Sequence, residues 1–272
     1  MERLELILTL NSLLLEDMPH YRQQAGGIPT EMPSQRRLLR GLMNVRPPLP
    51  LRAQYLALQD ALLSAEREER GVVDVMALPT TADPRMVLWQ GDITRLNADA
   101  IVNAANSALL GCFQPNHGCI DNAIHSAAGL QLRDECHQIM LAQGHEEAVG
   151  QAKITKAYNL PSSYVLHTVG PAIQGPLTQA DCDLLASCYR SCLELAARSG
   201  LQSVAFCCIS TGEFRFPNEQ AADIAVATVR RFLAVNETIQ RVIFDVFNAR
   251  DRALYENLLQ AGLESDAPVI IG

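Results

Sequence analysis

A change of hydrophobic period divides this chain and limits the folds open to it. From Met86 onward, short runs rich in Val, Ile, Leu and Phe alternate with longer segments whose apolar residues recur at helical spacing. The runs Met86–Gln90, Ala100–Asn103, Gln151–Ala157, Tyr164–Thr168, Ser203–Cys208 and Arg241–Val246 read as strands. Residues 120–128, 130–142, 178–199, 217–234 and 250–261 read as helices. Alternation of this kind implies an α/β domain of three layers, with a sheet between helices. Before Pro79-Thr80-Thr81-Ala82-Asp83-Pro84 the period is helical instead. Leu4, Ile7, Leu8, Leu10 and Leu14 make one stripe, and Leu38, Leu39, Leu42 and Met43 a second that Pro47, Pro48 and Pro50 stop. Tyr55, Leu56, Leu58, Leu62 and Leu63 make the third. Residues 1–76 therefore read as a helical extension, without residues of catalytic character, packed on a main domain of residues 77–272.

Charge and cysteine usage narrow the function classes. Against 22 Lys and Arg stand 30 Asp and Glu, a net charge of −8 with no basic run, which argues against a general nucleic-acid binder. No apolar run approaches the roughly 18–20 residues of a membrane-spanning helix. The N-terminus Met1-Glu2-Arg3-Leu4-Glu5-Leu6 lacks the features of a secretory signal. Eight cysteines without such a signal fit reduced thiols and a cytoplasmic location.

Four loops follow strands directly, where open α/β sheets bind ligands. They are Gly91-Asp92-Ile93-Thr94, Asn103-Ala104-Ala105-Asn106-Ser107, Ser210-Thr211-Gly212-Glu213-Phe214, and the turn holding Phe247 and Asn248. The small residues at 210–212 let backbone N–H groups approach phosphate oxygens. Asn103 and Asn106 carry amides that donate and accept, as ribose hydroxyls require, and Phe247 offers a ring for a base to stack on. Each also has a plain reading, as a turn residue or a core ring.

Between the second and third loops lies Gly111-Cys112-Phe113-Gln114-Pro115-Asn116-His117-Gly118-Cys119-Ile120-Asp121-Asn122. Cys112, His117 and Cys119 form Cys-x4-His-x-Cys, a donor set that suits zinc and leaves one coordination position open. The spacing equally admits a buried thiol pair beside a surface histidine. No fourth ligand stands close by, although His125, Cys136 or His137 could reach back. Asp121 falls at a helix start, where a carboxylate is favourable and could orient water or a sugar hydroxyl. It could also be a simple first-turn acid, with His125 its neighbour one turn on.

Taken in order, Gly91–Thr94, Ile101-Val102-Asn103-Ala104-Ala105-Asn106-Ser107, Val165-Leu166-His167-Thr168-Val169-Gly170-Pro171 and Ile209–Phe214 resemble the macrodomain signature over about residues 85–262. The Cys/His/Cys stretch replaces a Gly-rich loop of many macrodomains. It resembles the zinc-dependent macrodomains of bacteria and fungi, which also carry a helical N-terminal extension. The resemblance implies a three-layer α/β macrodomain with a mixed central sheet and one zinc ion per chain, held by Cys112, His117 and Cys119. It implies that Asp92 bonds the adenine amino group, that Ile93 presents its amide to the ring, and that Phe247 covers the base. Amides around Cys119, Ile120, Asp121 and Asn122, and around Ser210, Thr211, Gly212, Glu213 and Phe214, would hold the diphosphate. Asn106 would face the distal ribose beside Asp121 and the metal, while His167, inside a strand, would be structural.

The activity implied is zinc-dependent hydrolysis of the ester linking mono-ADP-ribose to Asp or Glu side chains of a modified protein, with Asp121 and Asn106 as catalytic residues. Two alternatives use the same pocket: a non-enzymatic ADP-ribose reader, and a deacylase of O-acyl-ADP-ribose. Microbial relatives of this type are often encoded beside a sirtuin-type ADP-ribosyltransferase and a lipoylated glycine-cleavage H-like carrier, which makes that carrier a candidate modified partner. Neither nucleic acid nor membrane is expected as a partner.

Overall fold

A computed structural model describes residues 2–260; residue 261 of the last expected helix and the rest of the 77–272 domain to its end lie outside the described residues. Four helices come first: α1 (Arg3–Asp17), α2 (Arg22–Gly26), α3 (Met32–Val45) and α4 (Ala53–Arg70). Then follow β1 (Met86–Gln90), β2 (Ala100–Ala105), α5 (Ile120–Ala128), α6 (Leu130–Gln143), β3 (Ala152–Lys156), β4 (Tyr164–Val169), α7 (Gln179–Arg198), β5 (Ser203–Phe206), α8 (Asn218–Val235), β6 (Arg241–Val246) and α9 (Ala249–Gln260). The strands form one sheet in the order β1-β6-β5-β2-β4-β3. Every neighbouring pair is parallel except β3 with β4, so the sheet is mixed, as expected.

Helices flank this sheet. The helices α7, α8 and α9 pack side by side and reach β3, β4, β1 and β6, while α5 and α6 lie against β2 and β3. The inner strands are apolar nearly throughout, β5 and β6 being buried at every position, because a parallel sheet covered by helices has no wet face. Local chemistry marks the boundaries. Thr178 and Asp181 cap α7 reciprocally. Between α5 and α6, Gly129 has φ +97°, and a Cβ there would meet Gln59 Nε2 at 2.5 Å.

The extension has its own core. Ile7, Leu10, Leu14, Leu39, Leu42, Tyr55 and Leu62 are buried together with Leu130 of α6. Leu8 instead stands 38% exposed on the outer face of α1. The short α2 falls in a stretch whose turn residues masked it.

A seam of polar groups joins the extension to the sheet domain. Gln59 Oε1 accepts the Leu130 N–H at 2.9 Å, and Asn44 Nδ2 donates to Ser126 Oγ at 3.0 Å. Arg133 of α6 is buried within it. Its Nη1 donates to the carbonyls of Met43 and Arg46 at 2.8 and 2.6 Å, and Nε to that of Leu110 at 2.7 Å. Burial lowers its pKa to about 10, against the pull of Asp121. Replacing it leaves three carbonyls that water reaches poorly. Arg133→Met is expected to lower the unfolding free energy by about 3 kcal/mol, read from urea transitions; a midpoint equal to the unsubstituted protein's would contradict this role.

Candidate active site

The carboxyl ends of β1, β6, β5 and β2 lie together in the sheet, so the chain segments leaving them share one rim. That rim and the first turn of α5 enclose a cleft of roughly 990 Å³, a size usual for small-molecule sites. The structure brings Asp92, Ile93, Asn106, Cys112, His117, Cys119, Ile120, Asp121, Ser210, Thr211, Gly212, Glu213, Phe214 and Phe247 to its wall.

Two expected ligand residues are not at that wall. Asn103 is fully buried, because β2 continues through Ala105 in parallel register with β4 and the loop starts only at Asn106. Asn122 is also fully buried; its side chain donates to the Gln114 carbonyl and its backbone N–H to Cys119 Sγ.

Asn103 does its work from behind the wall. Its Nδ2 donates to Asp121 Oδ1 at 2.8 Å and to His167 Nδ1 at 3.2 Å. With Nδ1 accepting, the neutral ring carries its proton on Nε2, which donates to Thr155 Oγ1 at 2.9 Å. The chain Thr155–His167–Asn103–Asp121 therefore holds the carboxylate from inside the domain. Asp121 is itself 5% exposed, with Asn106 Nδ2 at 3.4 Å from Oδ2 and His125 Nε2 at 3.5 Å from Oδ1. Burial raises its pKa to about 6, while Asn103 and Arg133 oppose the shift. Burial lowers that of His167 to about 3 and that of His125 well below the ordinary value.

Cys112, His117 and Cys119 converge on the cleft, with ligand atoms all within 4.8 Å of one another. His125 and Cys136 do not reach back to them but group with His167 in the interior. Cys112 Sγ lies 3.6 Å from His117 Nδ1. Tetrahedral zinc with Zn–S about 2.3 Å and Zn–N about 2.05 Å places S and N about 3.5 Å apart, so the spacing fits. His117 presents its other nitrogen, Nε2, to Glu213 Oε1 at 3.4 Å, the kind of carboxylate contact that orients a metal-binding imidazole. Burial beside Cys112 raises the Cys119 thiol to about 12, so a cation binding there must displace its proton.

The remaining wall carries a strained serine and an exposed aromatic ring. Ser210 adopts a left-handed φ of +64°, and its buried hydroxyl has no partner. Phe247 stands 82% exposed at the rim, a free ring for a base.

Two wall residues escaped the sequence reading. Asp245, at the end of β6, has a buried oxygen without a partner, and burial followed by Asp92 raises its pKa to about 9. An acid inside an otherwise apolar strand is the signal that could have found it. Arg40 reaches the cleft from α3 of the extension, and no spacing in the sequence announces it.

A neutral buried histidine makes the fold sensitive to acid. His167 titrates near 6.5 when unfolded and near 3 when folded, so its contribution is intact above pH 6.5 and is lost as pH falls toward 3. The groups facing it are Cys136, the His125 ring and, through Asn103, Asp121. His167→Gln is expected to remove roughly 2 kcal/mol of the stability lost between pH 6.5 and 4.5, read from urea unfolding at both pH values. Parallel losses in the two proteins would contradict it.

Comparison with known proteins places this architecture. The macro domain family model matches residues 102–225. A Treponema medium protein named protein-ADP-ribose hydrolase is 52% identical over 249 residues, covering 90% of this chain and 95% of its own. A Staphylococcus aureus (strain MSSA476) protein of the same name is 51% identical over 228 residues, covering 84% of this chain and 85% of its own. The solved Trypanosoma brucei macrodomain in complex with ADP-ribose is 33% identical at a TM-score of 0.62, covering 77% of this chain and 91% of that one. The chain belongs to the macro domain family.

Proposed function

We propose that this chain is a zinc-dependent hydrolase that releases mono-ADP-ribose from acidic side chains of modified proteins. The observation that carries the reading is the meeting of Cys112, His117 and Cys119 with Asp121 and Asn106 at one end of the cleft. A pocket that only binds needs neither an open soft-ligand set nor a buried carboxylate beside it. The names of the Treponema and Staphylococcus relatives agree with hydrolysis.

The residues divide the work by position. Asp92 accepts from the adenine amino group, Ile93 presents its backbone amide to the ring, and Phe247 covers it. Backbone amides of the α5 first turn and of Ser210–Phe214 receive the diphosphate, which agrees with the positive end of the helix. Asn106 faces the distal ribose. Asp121, held by Asn103 from within and by Asn106 at the wall, is fixed where it can accept a proton from water attacking the ester. Water adds across that ester, leaving a free carboxyl group on the protein and free ADP-ribose. Cys112, His117 and Cys119 would hold a zinc ion, which would supply Lewis acidity at that end of the cleft.

The test is release of free ADP-ribose from a protein mono-ADP-ribosylated on acidic residues, with a chelator-stripped aliquot in parallel. Release that stops on stripping and returns with zinc is the expected result. Absence of release from both aliquots, with ADP-ribose still bound, would identify a reader instead. Cys119→Ala is expected to abolish release while leaving ADP-ribose affinity within a few-fold. Asp121→Asn is expected to slow release about 10²–10⁴-fold; near-full rates in either variant would refute its role.

A further inference from the structure

Arg40 belongs to the extension yet lines the ligand cleft. Its Nε and Nη2 donate to Asn122 Oδ1 at 3.2 and 2.8 Å, and Nη2 also to the His117 carbonyl at 3.1 Å. All of these acceptors are neutral. Nη1 makes no such bond, and among the described residues no carboxylate pairs with the guanidinium. Arg36, one turn away, is itself a cation, bridged to Glu66 at 2.6 Å.

The half-buried charge of Arg40 therefore goes unanswered. The nearby thiols do not change this, because as thiols they are uncharged and as thiolates holding a divalent cation they would sum with it to zero. Charges withdrawn from water are normally paired, so a guanidinium with one nitrogen still free to donate on a pocket wall points to an anion in the pocket.

Its place on the wall says which anion. On one side Arg40, together with Asp92 and Ala123, lines both the cleft and the groove beside α3. On the other it is bonded to His117 and to Asn122 in the first turn of α5. It thus stands between the base end of the cleft and the end that holds Cys112, His117 and Asp121. A nucleotide laid along that wall puts its phosphates there, where the α5 N-terminus adds to the positive potential.

We propose that Arg40 binds the diphosphate of the nucleotide ligand, so that the extension completes the ligand site. The inference rests on the ADP-ribose reading above and assigns a charged contact to it. Nη1 keeps both of its N–H groups free, and a charged donor of this kind bonds phosphate oxygen strongly.

The test is calorimetric titration of the full chain with ADP and, separately, with uncharged adenosine, in the unsubstituted protein, Arg40→Gln and Arg40→Lys, with bound zinc measured in each. Loss of a charge-assisted contact is expected to weaken ADP roughly ten- to a hundredfold in Arg40→Gln. Adenosine affinity and zinc content should stay within twofold, and Arg40→Lys should recover part of the loss. Added salt should weaken ADP more in the unsubstituted protein than in Arg40→Gln. Unchanged ADP affinity in Arg40→Gln would overturn the proposal. So would equal loss of ADP and adenosine, loss of zinc, or an unsubstituted protein that binds ADP no better than adenosine. Hydrolysis is a separate readout: a chain that releases no ADP-ribose yet loses ADP affinity with Arg40 keeps this inference and loses the hydrolase reading.

Discussion

One buried guanidinium ties together parts of the chain that are distant in sequence. Arg133 donates to carbonyls at residues 43, 46 and 110 and lies 4.4 Å from the Phe113 ring centre. Those positions are the end of α3, the turn after it and the start of the Cys112–Cys119 loop. Arginine suits the place because its planar fork serves several acceptors in one plane and keeps its charge when buried. A lysine would offer a single point of attachment. The neutral carbonyls it satisfies cannot be moved far, so α3 and the loop are fixed relative to α6 by the same group.

The same interior sets the electrostatics of the site through burial more than through ion pairs. Asp121 and Asp245 both line the cleft and are both raised by loss of water, but to different extents. Asn103 donates to Asp121 and partly restores its ionised form, whereas Asp245 has an oxygen without a partner and Asp92 nearby. One cleft thus holds a carboxylate beside Asn106 and a neutral carboxyl group toward Asp92. His167 matters to this division because a neutral ring with Nδ1 accepting is what lets Asn103 keep its amide turned toward Asp121.

Much of this was legible in the chain. The strands Met86–Gln90 and Arg241–Val246 and the helix Ile120–Ala128 match the hydrophobic pattern residue for residue, because their apolar periods are long and end at turn residues. Asn103 lies in the strand and not in the expected loop for a definable reason. Polar residues at the end of an apolar run look like the start of a loop, yet in this fold β2 keeps its pairing with β4 through Ala105. Only a buried carboxylate and a buried histidine make an asparagine affordable inside the strand. Asn122 sits in the first helical turn, where nothing local shows which way an amide points. Arg40 depends on the docking of α3, a tertiary fact that no local pattern contains.

That docking gives the extension and the Cys/His/Cys loop a common physical basis. The loop is irregular, with left-handed backbone at Gly111 and Asn116, and irregular backbone must find hydrogen bonds outside itself. The extension supplies them. Asn44 Oδ1 accepts the Asn116 N–H at 2.9 Å, and Arg40 donates to the His117 carbonyl. Gly41 has no side chain to hold α3 away, since a Cβ there would come within 3.0 Å of Asn116 Nδ2 and 3.7 Å of Pro115 Cβ. Three side chains that could hold a metal keep a common spacing only if their loop is rigid to a fraction of an ångström. In this chain that rigidity comes from helices lying earlier in sequence than any strand of the sheet. A sheet domain carrying the loop alone would leave those loop groups without their partners, so the extension and the Cys112–Cys119 loop form one structural unit.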